Sequence, residues 1–334
     1  MAYRLLIVAN YQKGIGGISG VVENHYHNLA REGVDVRVFS TKGSMLKRMF
    51  MLIWLFRSTR WASIVHIHGC SYFGFFPIII GVISSKLLLN KNTVVTYHGG
   101  GADSFLSKNA MWVRWFLRKA DCVTVMSDYL RDVFSKYRID TRILQNVIDV
   151  DIALYEDEDF LCPKILSIRS LSKLYNIDVI IDAFMTIKSE YACAELIIAG
   201  DGDEQYSLQG KARDDEAIKF IGRIPNSEIP SLMKKCNIFV SVPSADNQPM
   251  SIIEAFCSNI LVISSNVGGV RDMVSHMENG LLVEPRNSSQ INEMVSWIMK
   301  NKHHANTMRK NALDSAKFYS WSRVYPILLD IYSR

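Results

Sequence analysis

The sequence predicts an α/β protein built on two doubly wound parallel sheets, each the core of its own domain. Short apolar runs alternate with amphipathic stretches along all 334 residues, the pattern of repeated strand-helix units. The runs fall into two sets of six, separated by an acidic, weakly periodic stretch at 149–159 that makes a sensible linker. A chain of this length can bury two cores of ordinary size. Residues 1–152 and 160–317 are the expected domains, and 318–334 an aromatic last helix expected at their junction.

In order, the first set of strands is expected at 4–8, 35–39, 64–68, 93–97, 122–125 and 141–144. The second is expected at 164–168, 194–199, 218–221, 238–242, 261–264 and 280–283. In such sheets ligands bind at the carboxyl ends of the strands, so two facing domains would share a cleft. Residues 73–89 are apolar but interrupted by Gly74, Pro77, Gly81 and Lys86, which suits a buried helix better than the roughly 20 apolar residues of a membrane span. Residues 45–61 mix Lys47, Arg48, Arg57 and Arg60 with large apolar side chains on all sides, a pattern shared by core helices and helices lying on a membrane surface.

Composition narrows the class. Hydrophobic content of 49% with 8 prolines and no low-complexity tract excludes a disordered chain. Residues 1–150 carry 19 Lys and Arg against 9 Asp and Glu, and the remainder 19 against 24, so the front half faces an anionic surface or substrate. No nucleic-acid motif accompanies that charge. Cys70, Cys122, Cys162, Cys193, Cys236 and Cys257 form no C-x-x-C pair and read as free, buried thiols of a reducing compartment. The first residues read as a buried strand rather than a signal peptide.

The richest segment is Ser244-Ala245-Asp246-Asn247-Gln248-Pro249-Met250-Ser251-Ile252-Ile253-Glu254. Pro249 suits a helix's first turn, where its missing N–H is no loss, so Asp246 precedes the helix and Glu254 lies within it. Free N–H groups at that turn favour an anion or a hydroxyl, although a capped helix with a surface glutamate has the same pattern. After the first strand, Gly14-Ile15-Gly16-Gly17-Ile18-Ser19-Gly20 opens a helix as a candidate phosphate loop; it lacks the G-K-[ST] of a Walker loop. His98 ends a strand beside Gly99, Gly100 and Gly101. Arg169 just past a strand offers a planar fork to a diphosphate, with Lys173 a second cation. Gly200-Asp201-Gly202, Gly222-Arg223-Ile224 and Gly268-Gly269 are further strand-end turns. His66 and His68 share one face of a strand and read as packed, hydrogen-bonded histidines rather than metal ligands.

Together these pieces resemble the family 4 glycosyltransferases of GT-B architecture, over essentially the whole chain. The resemblance implies two Rossmann-like domains facing a central cleft, with the acceptor on the first and the nucleotide sugar on the second. It implies retaining transfer from a UDP- or GDP-sugar to a hydroxyl of a glycan or lipid-linked acceptor in cell-surface polysaccharide or glycolipid synthesis, without a metal or cofactor. Glu254 would then hold the ribose and Asp246 the sugar hydroxyls, with N–H groups of Gln248, Pro249's neighbour Met250 and Ser251 nearby. Arg169 and Lys173 would neutralise the diphosphate, Gly16 and Gly17 would face it, and Gly222, Arg223 and Ile224 would hold the base. His98 would lie near the anomeric centre or the sugar's 6-hydroxyl. The basic first half and residues 45–61 add the expectation of a cytoplasmic protein attached peripherally to the inner face of a membrane. Two departures stand out: Asp246-Asn247 replaces the family's usual Glu-Gly, and Tyr175-Asn176 stand where a Lys-Gly pair is usual. A sugar-nucleotide 2-epimerase and a non-catalytic sugar-nucleotide-binding protein share the architecture and remain alternatives.

Overall fold

A computed structural model describes residues 3–14, 17–43, 45–148, 161–213 and 215–333, with the backbone alone at 45–49. The expected linker at 149–159 and the predicted site residue Gly16 lie outside the described residues. The chain divides into two compact units: Met1–Asp149 with Tyr319–Arg334, and Val150–Phe318.

The first unit holds six parallel strands: β1 (Arg4–Ala9), β2 (Asp35–Ser40), β3 (Ile64–Gly69), β4 (Asn92–Tyr97), β5 (Cys122–Val125) and β6 (Arg142–Ile143). They lie in the order β2-β1-β3-β4-β5-β6. Side chains of β1 alternate as a strand's period of two requires. Leu5 and Ile7 pack on one face with Val22 and Leu29 of the helix Ile18–Arg31 and with Val324, Leu328 and Ile331 of the terminal helix Trp321–Tyr332. Leu6 and Val8 pack on the other with Leu55, Phe75, Phe105 and Phe134. The terminal helix is therefore part of the first unit's core.

Residues 73–89 are not one α-helix. They form a 3-10 turn (Tyr72–Phe75), an α-helix (Phe76–Val82) and a π-helical turn (Ile83–Leu88). Close packing on β3 accounts for the small residues: a Cβ on Gly81 would lie 2.6 Å from Ile67 Cδ1, and the buried Ser84 hydroxyl donates to Thr59 Oγ1 at 2.9 Å. In the helix Met45–Trp61, Met51 and Leu55 are buried, whereas Phe50, Ile53 and Trp54 are exposed.

The second unit holds β7 (Lys164–Ile168), β8 (Glu195–Ala199), β9 (Ile218–Gly222), β10 (Ile238–Ser241), β11 (Leu261–Ser265) and β12 (Leu281–Val283), all parallel, in the order β12-β11-β10-β7-β8-β9. The strand order reverses between β7 and β10, which is the topological switch point where such sheets bind ligands. Helices Ile177–Glu190 and Ser288–Lys300 bury Ile180, Phe184, Val295 and Ile298 in its core.

The cysteine expectation is corrected here. Cys162 and Cys193 are joined by a disulfide with a Cα–Cα distance of 6.0 Å. The β7–β8 register pairs Lys164 with Glu195, so the residues two positions earlier on each strand face each other. Local spacing cannot report a pair made across strands. Cys236 and Cys257 are buried thiols, while Cys70 and Cys122 are only half-buried.

Candidate functional site

The second unit gathers its polar groups at the β7/β10 switch point. Arg169 follows β7, and its Nε donates to Ser241 Oγ at the end of β10, 2.8 Å away. Its Nη2 lies 2.9 Å from Asp246 Oδ2, and its guanidinium sits 5.0 Å from the centre of the Tyr175 ring. The ion pair is mostly enclosed, with 11% and 20% of the two side chains exposed, yet neither contacting atom makes an aligned hydrogen bond among the described residues. The guanidinium is thus fixed by a neutral hydroxyl, an aromatic face and a loosely aligned carboxylate. Such a cation needs little reorganisation to accept an incoming anion.

After β10 the chain turns through Asp246, whose Oδ1 accepts from the N–H of Asn247 at 2.8 Å and whose carbonyl accepts from Gly269 at 3.3 Å. Pro249 is the cap, not the first helical residue, of the helix Met250–Cys257; its extended ψ of 124° turns the chain into the helix. Asn247, Gln248 and Pro249 are buried, and Ser251 Oγ is buried without a hydrogen-bond partner among the described residues. Glu254 lies one turn further on. Burial pushes its carboxyl up to about 7, with Arg169 opposing the rise. Glu254 is therefore tuned by the same arginine that Asp246 touches.

The Gly200-Asp201-Gly202 loop serves chiefly to carry Arg169. A Cβ on Gly200, at φ +142°, would lie 1.9 Å from the Arg169 carbonyl, and one on Gly202 would lie 2.3 Å from that of Leu171. Asp201 O accepts from Leu171 N at 2.8 Å, and Gly222 O accepts from Gly200 N at 2.8 Å. Gly222 ends edge strand β9, and Arg223 and Ile224 follow it; Arg223 is exposed and pairs with Asp201 at 2.7 Å. Lys173 is exposed and makes no ion pair among the described residues. Beside it, Asn176 was missed as a site-building residue. It takes the left-handed conformation (φ 51°), which asparagine tolerates and which a glycine would also supply. Its buried amide donates to Val242 O at 2.8 Å and Ser244 Oγ at 2.9 Å, tying the turn after β7 to the one after β10.

The first unit places its candidates at the ends of β1, β3 and β4. Gly17, at φ +67°, caps the helix Ile18–Arg31, and Gly14 N donates to Glu23 Oε1 at 2.7 Å. His98 follows β4, its N–H donating to Gly69 O at 2.9 Å. Its Nε2 shares a hydrogen bond of 2.9 Å with Nδ1 of the fully buried His68. His66 bonds Tyr332 Oη through Nδ1 at 2.7 Å and Thr96 Oγ1 through Nε2 at 2.6 Å. His25, which the sequence reading passed over, joins them from the helix Ile18–Arg31, and donor atoms of His25, His66 and His68 come within 4.8 Å of one another. Both nitrogens of His66 are already hydrogen-bonded, so the trio offers one free donor fewer than a three-histidine metal site uses. Burial depresses every imidazole in the cluster: His25 to about 4, His98 to about 3, and His66 and His68 well below their usual value. All four are neutral at pH 7.

Residues 161–314 match the family model of the glycosyl transferases group 1, and residues 45–152 match that of Glycosyltransferase Family 4. An uncharacterised glycosyltransferase of Methanocaldococcus jannaschii is 25% identical over 247 residues, covering 71% of this chain and 68% of that protein. The alpha-monoglucosyldiacylglycerol synthase of Streptococcus pneumoniae is 25% identical over 191 residues, 51% of this chain and 43% of its own length. Several other curated relatives are likewise matched over less than half of their length. Among solved structures, Anabaena HepE in complex with UDP-glucose aligns with a TM-score of 0.79 at 16% identity, over 99% of this chain and 100% of that one. Sucrose-phosphate synthase of Thermosynechococcus elongatus aligns with a TM-score of 0.80 at 17% identity, over 100% and 98%.

Proposed function

The chain belongs to the family 4, group 1 glycosyltransferases of GT-B fold, and from that premise we propose that it transfers a sugar, with retention, from a UDP- or GDP-sugar to a hydroxyl of a glycan or lipid-linked acceptor. The observation that carries this reading is the Arg169 guanidinium, held at the second unit's switch point against Ser241, Tyr175 and Asp246. A departing nucleoside diphosphate develops negative charge, and a preorganised cation stabilises it by several kcal/mol in a water-poor site. In the proposed reaction the bond from the anomeric carbon to the phosphate oxygen breaks. The bond to the acceptor oxygen forms on the same face, and the acceptor's proton passes to the leaving phosphate.

Roles follow the family resemblance: Arg169 and Lys173 toward the diphosphate, Glu254 toward the ribose, and the Gly222–Ile224 turn toward the base. Asp246, with the backbone from Asn247 to Ser251, would meet the sugar hydroxyls, and His98 the transferred sugar. On diphosphate binding, Arg169 would exchange its Asp246 contact for phosphate oxygens and free Asp246 for the sugar. Calorimetric titration with UDP and with GDP tests this directly. Arg169→Ala should weaken the preferred nucleotide at least about tenfold, the loss of one charge-assisted hydrogen bond; unchanged affinity would place the site elsewhere. Epimer formation from sugar nucleotide without acceptor would sink the transferase reading in favour of an epimerase.

HepE binds UDP-glucose, and the pneumococcal relative's name is that of a glycolipid synthase, which supports a sugar nucleotide and a lipid-linked acceptor here. Exposed Phe50, Ile53 and Trp54 lie beside exposed Arg57 and Arg60 on the helix Met45–Trp61, a surface suited to an anionic bilayer. No helix among the described residues is long and apolar enough to cross a membrane. Co-sedimentation with anionic liposomes should be lost on neutralising Arg57 and Arg60 together with Ile53→Ser and Trp54→Ser. No binding by the unaltered chain would refute attachment.

A further inference from the structure

We propose that His68 sets the tautomer of His98, so that His98 meets its ligand as a hydrogen-bond donor through Nδ1–H and not as a base. The proposal rests on the reading of His98 as a ligand-facing residue, and adds a positioning residue behind it. A neutral imidazole carries one N–H and one lone pair, and both rings are neutral because burial depresses them. His68 Nδ1 and His98 Nε2 lie 2.9 Å apart, so one of these two atoms holds the proton and the other accepts it.

The opposite nitrogen of His68 decides which. His68 is 0% exposed, and its Nε2 has no hydrogen-bond partner among the described residues. Among the described residues no neighbouring ring bonds it: both nitrogens of His66 are taken by Tyr332 and Thr96, and neither nitrogen of His25 forms a hydrogen bond to His68. A proton on Nε2 would bury an N–H with nothing to receive it, a rarer and costlier defect than an unused lone pair. The proton therefore sits on Nδ1, and His68 donates to His98 Nε2. That leaves His98 with its proton on Nδ1, the nitrogen not engaged by His68. Packing holds the arrangement: the His68 ring stacks on His98 at 5.1 Å and lies 4.4 Å from His66. Rotating His68 about its ring axis would break the bond to His98.

Such a His98 can donate to a sugar oxygen but cannot take a proton from the acceptor hydroxyl. The leaving phosphate oxygen is then free to take the acceptor's proton, as in the proposed reaction.

Two-bond proton–nitrogen correlation spectra of the full chain, labelled with 15N-histidine, read the tautomer without any need for turnover. His98 signals are assigned by their loss in His98→Gln. The expected result at neutral pH is a protonated Nδ1 and an unprotonated Nε2 on both His68 and His98. A proton on His98 Nε2, or averaging between its two nitrogens, would overturn the proposal. His68→Asp, which cannot donate, should move the His98 proton to Nε2 or give an imidazolium, and should slow transfer about tenfold, the worth of one hydrogen bond. His68→Asn, whose amide can donate from near the Nδ1 position, should restore the wild-type His98 pattern. If His68→Asp leaves the His98 signals unchanged, His68 does not set them. Should the aspartate variant not fold, the wild-type and His68→Asn spectra decide the matter alone. A protein that keeps the expected tautomer but fails to bind any sugar nucleotide would count against the function and not against the histidine pair.

Discussion

Replacing Glu254 by glutamine should stabilise the protein, and the gain should grow with pH. The carboxyl is driven from its usual 4.5 to about 7, chiefly by burial, while Arg169 pulls the other way. A folded value above the unfolded one means that stability is complete below about 4.5 and is lost as pH rises through about 7. At 1.36 kcal/mol per pH unit, that interval caps the cost of ionising Glu254 in the folded chain at about 3 kcal/mol. Glu254 is half-buried, so residual contact with water makes this an upper bound. Glutamine keeps the shape of the neutral acid and removes the ionisation. Urea unfolding followed by circular dichroism, run on wild type and Glu254→Gln at pH 5 and pH 8, measures the difference. The variant should gain under about 1 kcal/mol at pH 5 and about 2–3 kcal/mol at pH 8; titrations shared by both proteins cancel. A gap that stays constant with pH, or closes as pH rises, would refute the assignment of a raised carboxyl. The same variant should lose affinity for the nucleotide if Glu254 holds the ribose, so stability and binding should move in opposite directions.

Other outcomes follow from the same structure. The depressed histidines act in the reverse sense, since their stability is complete above about 6.5 and is lost as pH falls. His25 alone, at about 4, should withdraw about 2 kcal/mol between pH 7 and pH 5, and His25→Phe should flatten the acid limb of a Tm-against-pH curve. Gly200→Ala should destabilise the second unit and weaken nucleotide binding together, because its Cβ would meet the Arg169 carbonyl at 1.9 Å; a variant with unchanged Tm and affinity would show that the Arg169 loop yields freely. Breaking the Cys162–Cys193 link, which closes a sequence separation of 31, should cost about 3.7 kcal/mol, read as a drop in urea midpoint on Cys162→Ala with Cys193→Ala. Equal midpoints for the double variant and wild type would refute any stabilising role.

Much of the fold was legible because its signals are local. Each strand was visible as an apolar run of the right length, and the twelve strands among the described residues end within one residue of the expected bounds. Arg169, Asp246 and His98 could be singled out because strand-end residues of a doubly wound sheet point toward ligands. Pro249 was misplaced by one position because a proline suits both the cap and the first turn. Residues 73–89 were read as one helix because periodicity does not separate α, 3-10 and π turns in a short apolar run.

Two parallel α/β units and the residue types at their strand ends can be read along the chain, since alternation, turn chemistry and chain length are properties of neighbours in sequence. Tertiary structure alone decided what those residues touch. The order β10-β7 in the second sheet brings Arg169 against Ser241 and Asp246, and the β7–β8 register joins Cys162 to Cys193. Packing of the helix Ile18–Arg31 on the first sheet carries His25 to His66 and His68, and the terminal helix brings Tyr332 to His66. These contacts depend on strand order and register, which follow from the burial of whole faces and leave no mark in any single stretch of residues.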